Sequence, residues 1–362
     1  MSTNSSSIRA RSTATSKRSA ATSDSAMSTA QNLQNYGSTS TGIFSITPAD
    51  EPSATTTSSS TAKQASVKKG SVSRTCTLEE TPLWMHDNPD ILTGYRRETF
   101  SYKKCIESLW FLHNETVNIW THLFGAIVCI VGSPFIYFNY IGILDTIKWA
   151  DIVTFYMFMA GAIACLSMSA SFHCFHCHSE PVSKQWNRCD YVGIVFLITG
   201  SFYPAIYYGF YCFQTFQIIY IAMITIIGAA VVVVVVRPEF RGHEYRWIRS
   251  CMFLAMGLSA VFPVLHAVVL YGIPLAQKAI AFNYMICMGA SYVIGTLLYG
   301  SRTPEHLFPG KFDYFGASHQ IFHVCVLAGV LFHFVGITKA MAFWHDTNHS
   351  CAIPISEMRL VY

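Results

Sequence analysis

Charged residues are scarce in this chain: Asp, Glu, Lys and Arg together make up 12% of its 362 residues, against 52% hydrophobic residues. A soluble globular protein typically carries about 25% charged residues. The deficit therefore excludes an ordinary soluble protein and indicates a polytopic membrane protein. The net charge of +4 bears on membrane orientation and does not indicate a nucleic-acid partner.

An early hydrophobic run and a regular cysteine pattern are also missing. The first apolar run comes only after residue 118, which predicts that no cleavable signal peptide opens the chain. The twelve cysteines are scattered, and several lie inside apolar segments. We interpret them as small buried hydrophobic residues and not as a secreted disulfide framework.

Seven apolar segments are present instead, each close to the roughly 20 residues that a spanning helix needs. They lie at about 118–139, 149–174, 188–211, 215–236, 250–272, 279–300 and 317–343. Short loops join them, and no internal repeat is visible. This pattern predicts an all-α membrane protein, a bundle of seven transmembrane helices.

Positive charges predict how the bundle is oriented. The loops after the second, fourth and sixth segments carry most of the loop bases: Lys184, Arg188, Arg237, Arg241, Arg246, Arg249, Arg302 and Lys311. The N-terminus is therefore expected in the cytoplasm and the C-terminus outside. The glycosylation sequon at Asn348 then falls on the outside.

Composition divides the chain into four parts. Residues 1–75 are rich in Ser and Thr and cannot bury enough apolar surface to offset chain entropy, so we predict that they form a disordered cytoplasmic tail. We predict that residues 76–117 form an ordered cytoplasmic lead-in. Residues 118–343 form the predicted membrane domain, and residues 344–362 a short extracytoplasmic tail.

A group of polar residues is expected at the cytoplasmic end of the bundle. His319 and His323 are four residues apart, so they share one face of a helix. In the predicted topology, His173 ends the second segment and Asp190 begins the third, both at the same depth as the pair. Three imidazoles with a carboxylate or a water are a typical zinc ligand set. Ser169 lies one helical turn from His173 and can face the same cavity.

Other polar residues leave alternatives open. Glu115, Asn118 and His122 begin the first segment on one face, and they fit either a role in the site or a helix cap with interhelical hydrogen bonds. The pair Cys174 and Cys177 resembles a metal motif, but a lone CxxC on a loop in a reducing cytosol is a weak signal.

Two further histidines lie within apolar segments. We interpret His266 as a candidate for a polar cavity wall and His333 as a packing residue.

These motifs, taken in order over residues 80–343, resemble those of the progestin and adiponectin receptor family, which is related to the haemolysin III proteins and has fungal members. The stretches that match are Glu115-x-x-Asn118-x-x-x-His122, Ser169-x-x-x-His173 followed by Asp190, and Pro309-Gly310-Lys311-Phe312-Asp313 leading into His319-x-x-x-His323. The resemblance implies a zinc ion held by His173, His319 and His323. It also implies that Asp190 holds a zinc-bound water, with Ser169 nearby.

The resemblance implies a function as well. We expect a zinc-binding membrane receptor with ceramidase-type amidohydrolase activity, linked to lipid, sterol and zinc homeostasis, in which Asp190 and Ser169 are catalytic. The expected partners are ceramide-like or sterol-like membrane lipids and an extracellular protein ligand, at the plasma membrane or the endoplasmic reticulum. The alternative is a non-enzymatic receptor with structural zinc. A transporter is disfavoured, because the polar residues cluster at one end.

Overall fold

The structure is a computed structural model that describes residues 73–346 and residue 351, without the side chains of residues 241 and 243. The predicted disordered tail lies outside these residues, except for its last three positions. The predicted sequon at Asn348 and most of the C-terminal tail also lie outside them.

A folded segment precedes the first membrane helix. Its two short strands, β1 (Thr75–Cys76) and β2 (Tyr95–Arg96), pair in antiparallel fashion. Between and after them lie 3-10 turns at Leu78–Glu80, Leu83–Met85 and Ser108–Trp110, and the short helix α1 (Tyr102–Glu107). We call residues 73–115 the lead-in.

Seven helical spans, as predicted, are long and apolar enough to cross a bilayer. They are α2 (Thr116–Ile136, continued by a π-helical turn to Ile141), α3 (Trp149–Phe175), α4 (Glu180–Gly209), α5 (Gln214–Val235), α6 (Arg246–Leu258) with α7 (Val261–Tyr271), α9 (Phe282–Ser301) and α10 (Ser318–His345). The short helix α8 (Ile273–Ala279) connects α7 to α9.

The third span is longer than its apolar part. Helix α4 begins at Glu180, not at residue 188, because its first turns are polar and lie before the hydrophobic run. Pro181 in the first turn suits a helix start, since a proline there loses no intrahelical hydrogen bond. Hydropathy detects only the part of a helix that is apolar.

The fifth span is interrupted. Helix α6 ends at Leu258 and α7 begins at Val261, with Pro263 in the first turn of the second piece. A proline lacks the N–H that would bond the carbonyl four residues earlier, and its ring clashes with that carbonyl. The break therefore falls at Ser259, one turn before the proline.

Small residues let α3 and α4 approach closely. A Cβ on Gly161 would lie 2.5 Å from the Phe196 carbonyl oxygen, and one on Gly200 would lie 2.7 Å from the Met157 oxygen. Only glycine fits such helix crossings, where backbones touch. The antiparallel contact brings the end of α3 beside the beginning of α4.

The cysteine interpretation needs a correction. Several cysteines are buried, as expected, including Cys105 and Cys165. However, Cys212 and Cys351 form a disulfide, which joins the loop after α4 to the chain beyond α10. Cys251 and Cys287 are exposed on the outer surface of their helices, where apolar side chains would meet lipid.

Candidate metal centre

Three histidines converge where α3 ends and α10 begins. Nitrogen atoms of His173, His319 and His323 all lie within 4.8 Å of one another. The Nε2 atoms of His173 and His319 are 3.1 Å apart, close to the ~3.3 Å that a tetrahedral zinc ion with Zn–N bonds of ~2.0–2.1 Å would impose. This buried group can therefore hold a metal ion.

Hydrogen bonds orient two of these imidazoles. The Nδ1 of His173 lies 2.7 Å from Glu115 Oε2, and the Nδ1 of His323 lies 3.0 Å from the backbone oxygen of Asn118. A carboxylate and a carbonyl only accept hydrogen bonds, so we assign the ring proton to Nδ1 in both histidines. The Nε2 lone pairs are then free for a metal, as in many zinc sites.

Glu115 is held in place itself. The Asn118 side-chain amide donates a hydrogen bond to Glu115 Oε2 at 2.6 Å. Burial alone would raise the pKa of Glu115, but the hydrogen bonds that it accepts from His173 and Asn118 hold that pKa well below its usual range. Glu115 therefore remains an acceptor. Of the two readings of Glu115 and Asn118, the geometry favours support of the metal histidines.

Arg96 secures the last turn of α3 and is the functional residue that sequence reasoning missed. Its buried guanidinium donates to the backbone oxygens of His173 and Cys174, at 2.6 and 2.9 Å, and to Ser108 Oγ at 2.8 Å. It satisfies carbonyls that every helix end leaves without a partner. In the sequence, the only signal for this role was the pair of neighbouring arginines, Arg96 and Arg97.

Two acids attach the lead-in to the loop before α10. Asp313 accepts hydrogen bonds from the backbone of Leu92 and Thr93 and from the Thr93 hydroxyl. Glu305, fully buried, accepts from Asn88 and from both the backbone and the hydroxyl of Ser318. Since Ser318 precedes His319, this network positions the start of α10. Asp313 itself lies outside the metal group.

His122 lies against the metal group without joining it. Its ring stacks on that of His323, with centroids 3.7 Å apart and planes at 13°. The side chain is buried, and within the described part of the chain neither nitrogen has a hydrogen-bond partner. Its ring therefore braces His323 while its nitrogens stay free.

Ser169 and Asp190 line the same cavity as His319 and His323. The Ser169 hydroxyl lies against the Asp190 carboxylate, and both side chains are buried. Asp190 does not belong to the group of mutually close ligand atoms among the described residues. The Asp190 carboxylate is therefore a neighbour of the metal group and not one of its ligand atoms.

An elongated cavity of about 440 Å³ opens from this site into the bundle. It begins among Asp190, His122 and His319, and it extends to Gly209 and Phe282 at the far ends of their helices. Its wall is mostly apolar and comes from α4, α6, α7, α9 and α10. A volume of this size is typical of small-molecule sites, and the apolar wall suits a hydrocarbon chain.

The two cysteines of the CxxC motif are not part of the metal group in the described residues. Cys174 lies in the last turn of α3, not on a loop, and Cys177 follows it in the turn. The Cys177 thiol lies 3.6 Å from the Cys105 thiol of the lead-in. The two thiols therefore pack between α1 and α3.

The structure corrects the interpretation of His266 and extends that of His333. His266 is not among the cavity-lining residues; its Nδ1 lies 3.1 Å from the Tyr220 hydroxyl, and its ring packs on Phe216. His333 lines the cavity, although its ring also packs on Phe158. Hydropathy alone does not tell which face of a buried helix meets a cavity.

Comparison with known proteins identifies the family. The family model described as haemolysin-III related matches residues 110–334, which include every residue of the metal group. This chain belongs to the haemolysin-III related family. It is an integral, multi-pass membrane protein of the adiponectin-receptor-like kind.

Curated relatives of this haemolysin-III related protein come from animals, fungi and plants. The progestin and adipoQ receptor-like protein 1 of Caenorhabditis elegans is 40% identical over 76% of this chain and 62% of its own length. The adiponectin receptor protein of Drosophila melanogaster is 36% identical over 78% of this chain and 63% of its own. The ADIPOR-like receptor IZH2 of Saccharomyces cerevisiae is 36% identical, over 80% and 90%. The chain thus spans less than two thirds of the two animal relatives.

Proposed function

We propose that this protein is a zinc-dependent amidohydrolase of the ceramidase type, which cleaves a membrane lipid amide and thereby acts in lipid signalling. One observation carries the proposal. The three histidines, two of them buried and His319 half-buried, lie with Asp190 and Ser169 at one end of a long apolar cavity. A hydrolytic centre and a hydrocarbon site therefore form one continuous space.

The donor set supports zinc as the metal. Three neutral imidazoles and an open fourth position are the arrangement of catalytic zinc sites. His173 and His323 have acceptors on Nδ1, which leaves Nε2 for the ion. When bound, zinc would polarise the amide carbonyl and lower the pKa of a water molecule.

The protein's own residues supply proton transfer and positioning. Asp190 takes a proton from the attacking water as the water oxygen bonds to the amide carbon, and it passes a proton to the amide nitrogen as the carbon–nitrogen bond breaks. The products are a fatty acid and an amine. Ser169, against the Asp190 carboxylate, orients that group.

The cavity supports a substrate with long apolar chains. Its wall would bury the hydrocarbon chain and exclude water from the reacting amide. A ceramide-like lipid has an amide and two such chains, and a sterol-like lipid would fill the same apolar space without offering an amide. Ceramide is therefore the proposed substrate class.

The test is hydrolysis of a ceramide panel by purified, zinc-loaded protein in lipid, with fatty-acid release measured by mass spectrometry. Asp190→Asn keeps the size of the side chain but removes the base, so we expect the rate to fall by about 100-fold or more. Zinc content should stay the same. Ser169→Ala should lose less activity, and Asp145→Asn, an exposed aspartate in the loop after α2, is the matched control.

A negative result in this assay would disprove the proposed function. If the wild-type protein hydrolyses no ceramide in a metal-dependent way, the enzyme hypothesis fails. The second candidate is then a receptor with structural zinc that responds to an extracellular protein ligand. The buried position of the histidines favours it, because a metal held there would tie α3 to α10.

We propose that the N-terminus lies in the cytoplasm and the C-terminus outside. The Cys212–Cys351 disulfide supports this, because it lies at the end of the bundle opposite the histidines and disulfides form in oxidising compartments. A C-terminal tag on intact cells should be accessible when the protein is at the plasma membrane. A tag that is reached only after permeabilisation of surface-expressed protein would reverse the orientation.

A further inference from the structure

Two polar side chains with unused hydrogen-bonding capacity line the middle of the apolar cavity. His333 on α10 is fully buried; its ring lies near the Ser201 backbone, and neither nitrogen makes a hydrogen bond of standard geometry within the described residues. The hydroxyl of Tyr292 on α9 is also buried and unpartnered there. Both residues line the cavity. Buried polar groups in proteins almost always have a partner, so this pair requires an explanation.

The two side chains lie on neighbouring turns. The Tyr292 ring packs directly over Gly329, where a Cβ would lie 2.5 Å from it. His333 is one helical turn further along α10, on the same face as Gly329. Ser201 of α4 also lines this part of the cavity; its hydroxyl donates to the Ile198 backbone and can still accept a hydrogen bond.

This polar group is remote from the metal centre. His333 is ten residues beyond His323 on one helix, which places it about 15 Å away along the axis. The charged residues of the cavity wall, among those described, are Asp190, Arg246 and Arg249, all at the inner end of their helices. The middle of the cavity is therefore polar without formal charge.

We propose that His333 and Tyr292 form a binding subsite for a hydroxyl group carried on the hydrocarbon chain of the lipid substrate. A neutral imidazole offers one donor and one acceptor, and a phenol offers the same. A chain hydroxyl can therefore bond to either group. A charged group fits poorly, because no opposite charge lies among the described residues at this depth and bare charges are costly inside a membrane.

This inference rests on the proposed function, since a lipid amide must occupy the cavity. It adds a specificity that the metal centre does not explain. An amide lipid with a plain chain would leave the free hydrogen-bonding capacity of these two groups unused. A lipid hydroxylated near the middle of its N-acyl chain would use it, so the protein should select it.

The experiment measures equilibrium binding to zinc-loaded protein in nanodiscs. The probes are two radiolabelled ceramides of equal chain length, one plain and one hydroxylated near the middle of its N-acyl chain. One or two hydrogen bonds should make the hydroxylated lipid bind about 3- to 10-fold tighter. Tyr292→Phe keeps the ring over Gly329 and should reduce this preference, and His333→Leu should abolish most of it.

The controls separate the subsite from general effects. His333→Gln keeps a donor and an acceptor and should restore part of the preference. Tyr284→Phe makes the same change on α9 outside the cavity-lining set and should leave the preference intact. All variants should retain their zinc, because neither residue belongs to the metal group.

Three outcomes overturn the proposal: equal binding of the two lipids by the wild type, a preference that survives in both Tyr292→Phe and His333→Leu, or no binding of either lipid. The first two would mean that the pair holds only ordered water. Because binding is measured and not turnover, the two proposals can fail separately. A selective but inactive protein disproves the enzyme, and an active but unselective protein disproves the subsite.

Discussion

The two ends of the bundle each bury a histidine against a carboxylate. At one end His173 of α3 meets Glu115 at 2.7 Å, and at the other His345 of α10 meets Asp151 of α3 at 3.0 Å. Both histidines and Asp151 are shielded from solvent, whereas the Glu115 side chain is 20% exposed. By residue type and distance alone, the two would be judged equally functional.

The difference lies in the second nitrogen of each imidazole. His345 places its Nδ1 2.8 Å from the Thr146 hydroxyl, while Asp151 also accepts from the Tyr208 hydroxyl at 2.8 Å and from the Lys148 backbone. That cluster is saturated and joins α3, α4 and α10. His173, by contrast, turns its Nε2 toward two other histidines. A metal site is therefore recognised by imidazole nitrogens whose lone pairs are still available to an ion.

The largest expected effect tests this contrast directly. His319→Ala or His323→Ala should reduce bound zinc from about one ion per chain to nearly none, because two imidazoles no longer hold the ion well. His345→Ala should keep the zinc, although it breaks the outer cluster. Metal content of the purified proteins, measured by mass spectrometry, decides it. Equal zinc loss in all three variants would show that the outer histidine matters for the metal too.

The supporting carboxylate should have the next largest effect. Glu115→Ala removes the acceptor that orients His173, and loss of such a partner typically weakens metal binding by about 10- to 100-fold. Glu115→Gln should recover part of the affinity. Chelator competition measures the change. Asp151→Asn, the matched change at the outer end, should leave zinc affinity unaltered; a comparable loss there would remove the distinction between the two clusters.

The outer end should depend on its disulfide for stability. Cys212→Ser opens a crosslink that spans 139 residues, and loss of a native disulfide typically costs about 2–4 kcal/mol. Thermal unfolding in detergent, with and without reductant, should show a lower midpoint for the variant and a reductant effect only for the wild type. Unchanged zinc content would confirm that this cost is confined to the outer end.

The smallest expected effect concerns the thiols at the inner end. Cys174→Ser and Cys177→Ser should leave zinc content unchanged, because neither sulfur belongs to the metal group in the described residues. Both changes nearly conserve side-chain volume. The measurement is again metal analysis. Metal loss in either variant would reassign the site from the histidines to the CxxC motif.

Sequence reasoning succeeded where a signal repeats along the chain or is local. The apolar segments predicted the seven spans, and the four-residue spacing of His319 and His323 predicted a shared helix face. It failed to predict the first turns of α4, because those residues are polar. It also missed Arg96, whose partners are backbone carbonyls 77 and 78 residues away and carry no sequence signature.

The amino-acid sequence by itself determined the membrane class, the number of spans and the residues that can share a helix face, because these depend on hydrophobicity and helical periodicity over a few turns. Only the tertiary structure decided which of the histidines that it describes meet and which of their nitrogens can still bind an ion. His333 faces a cavity and His266 does not, although both lie in apolar helices. That choice depends on how helices distant in sequence pack, and packing is set by many weak contacts that no local pattern records.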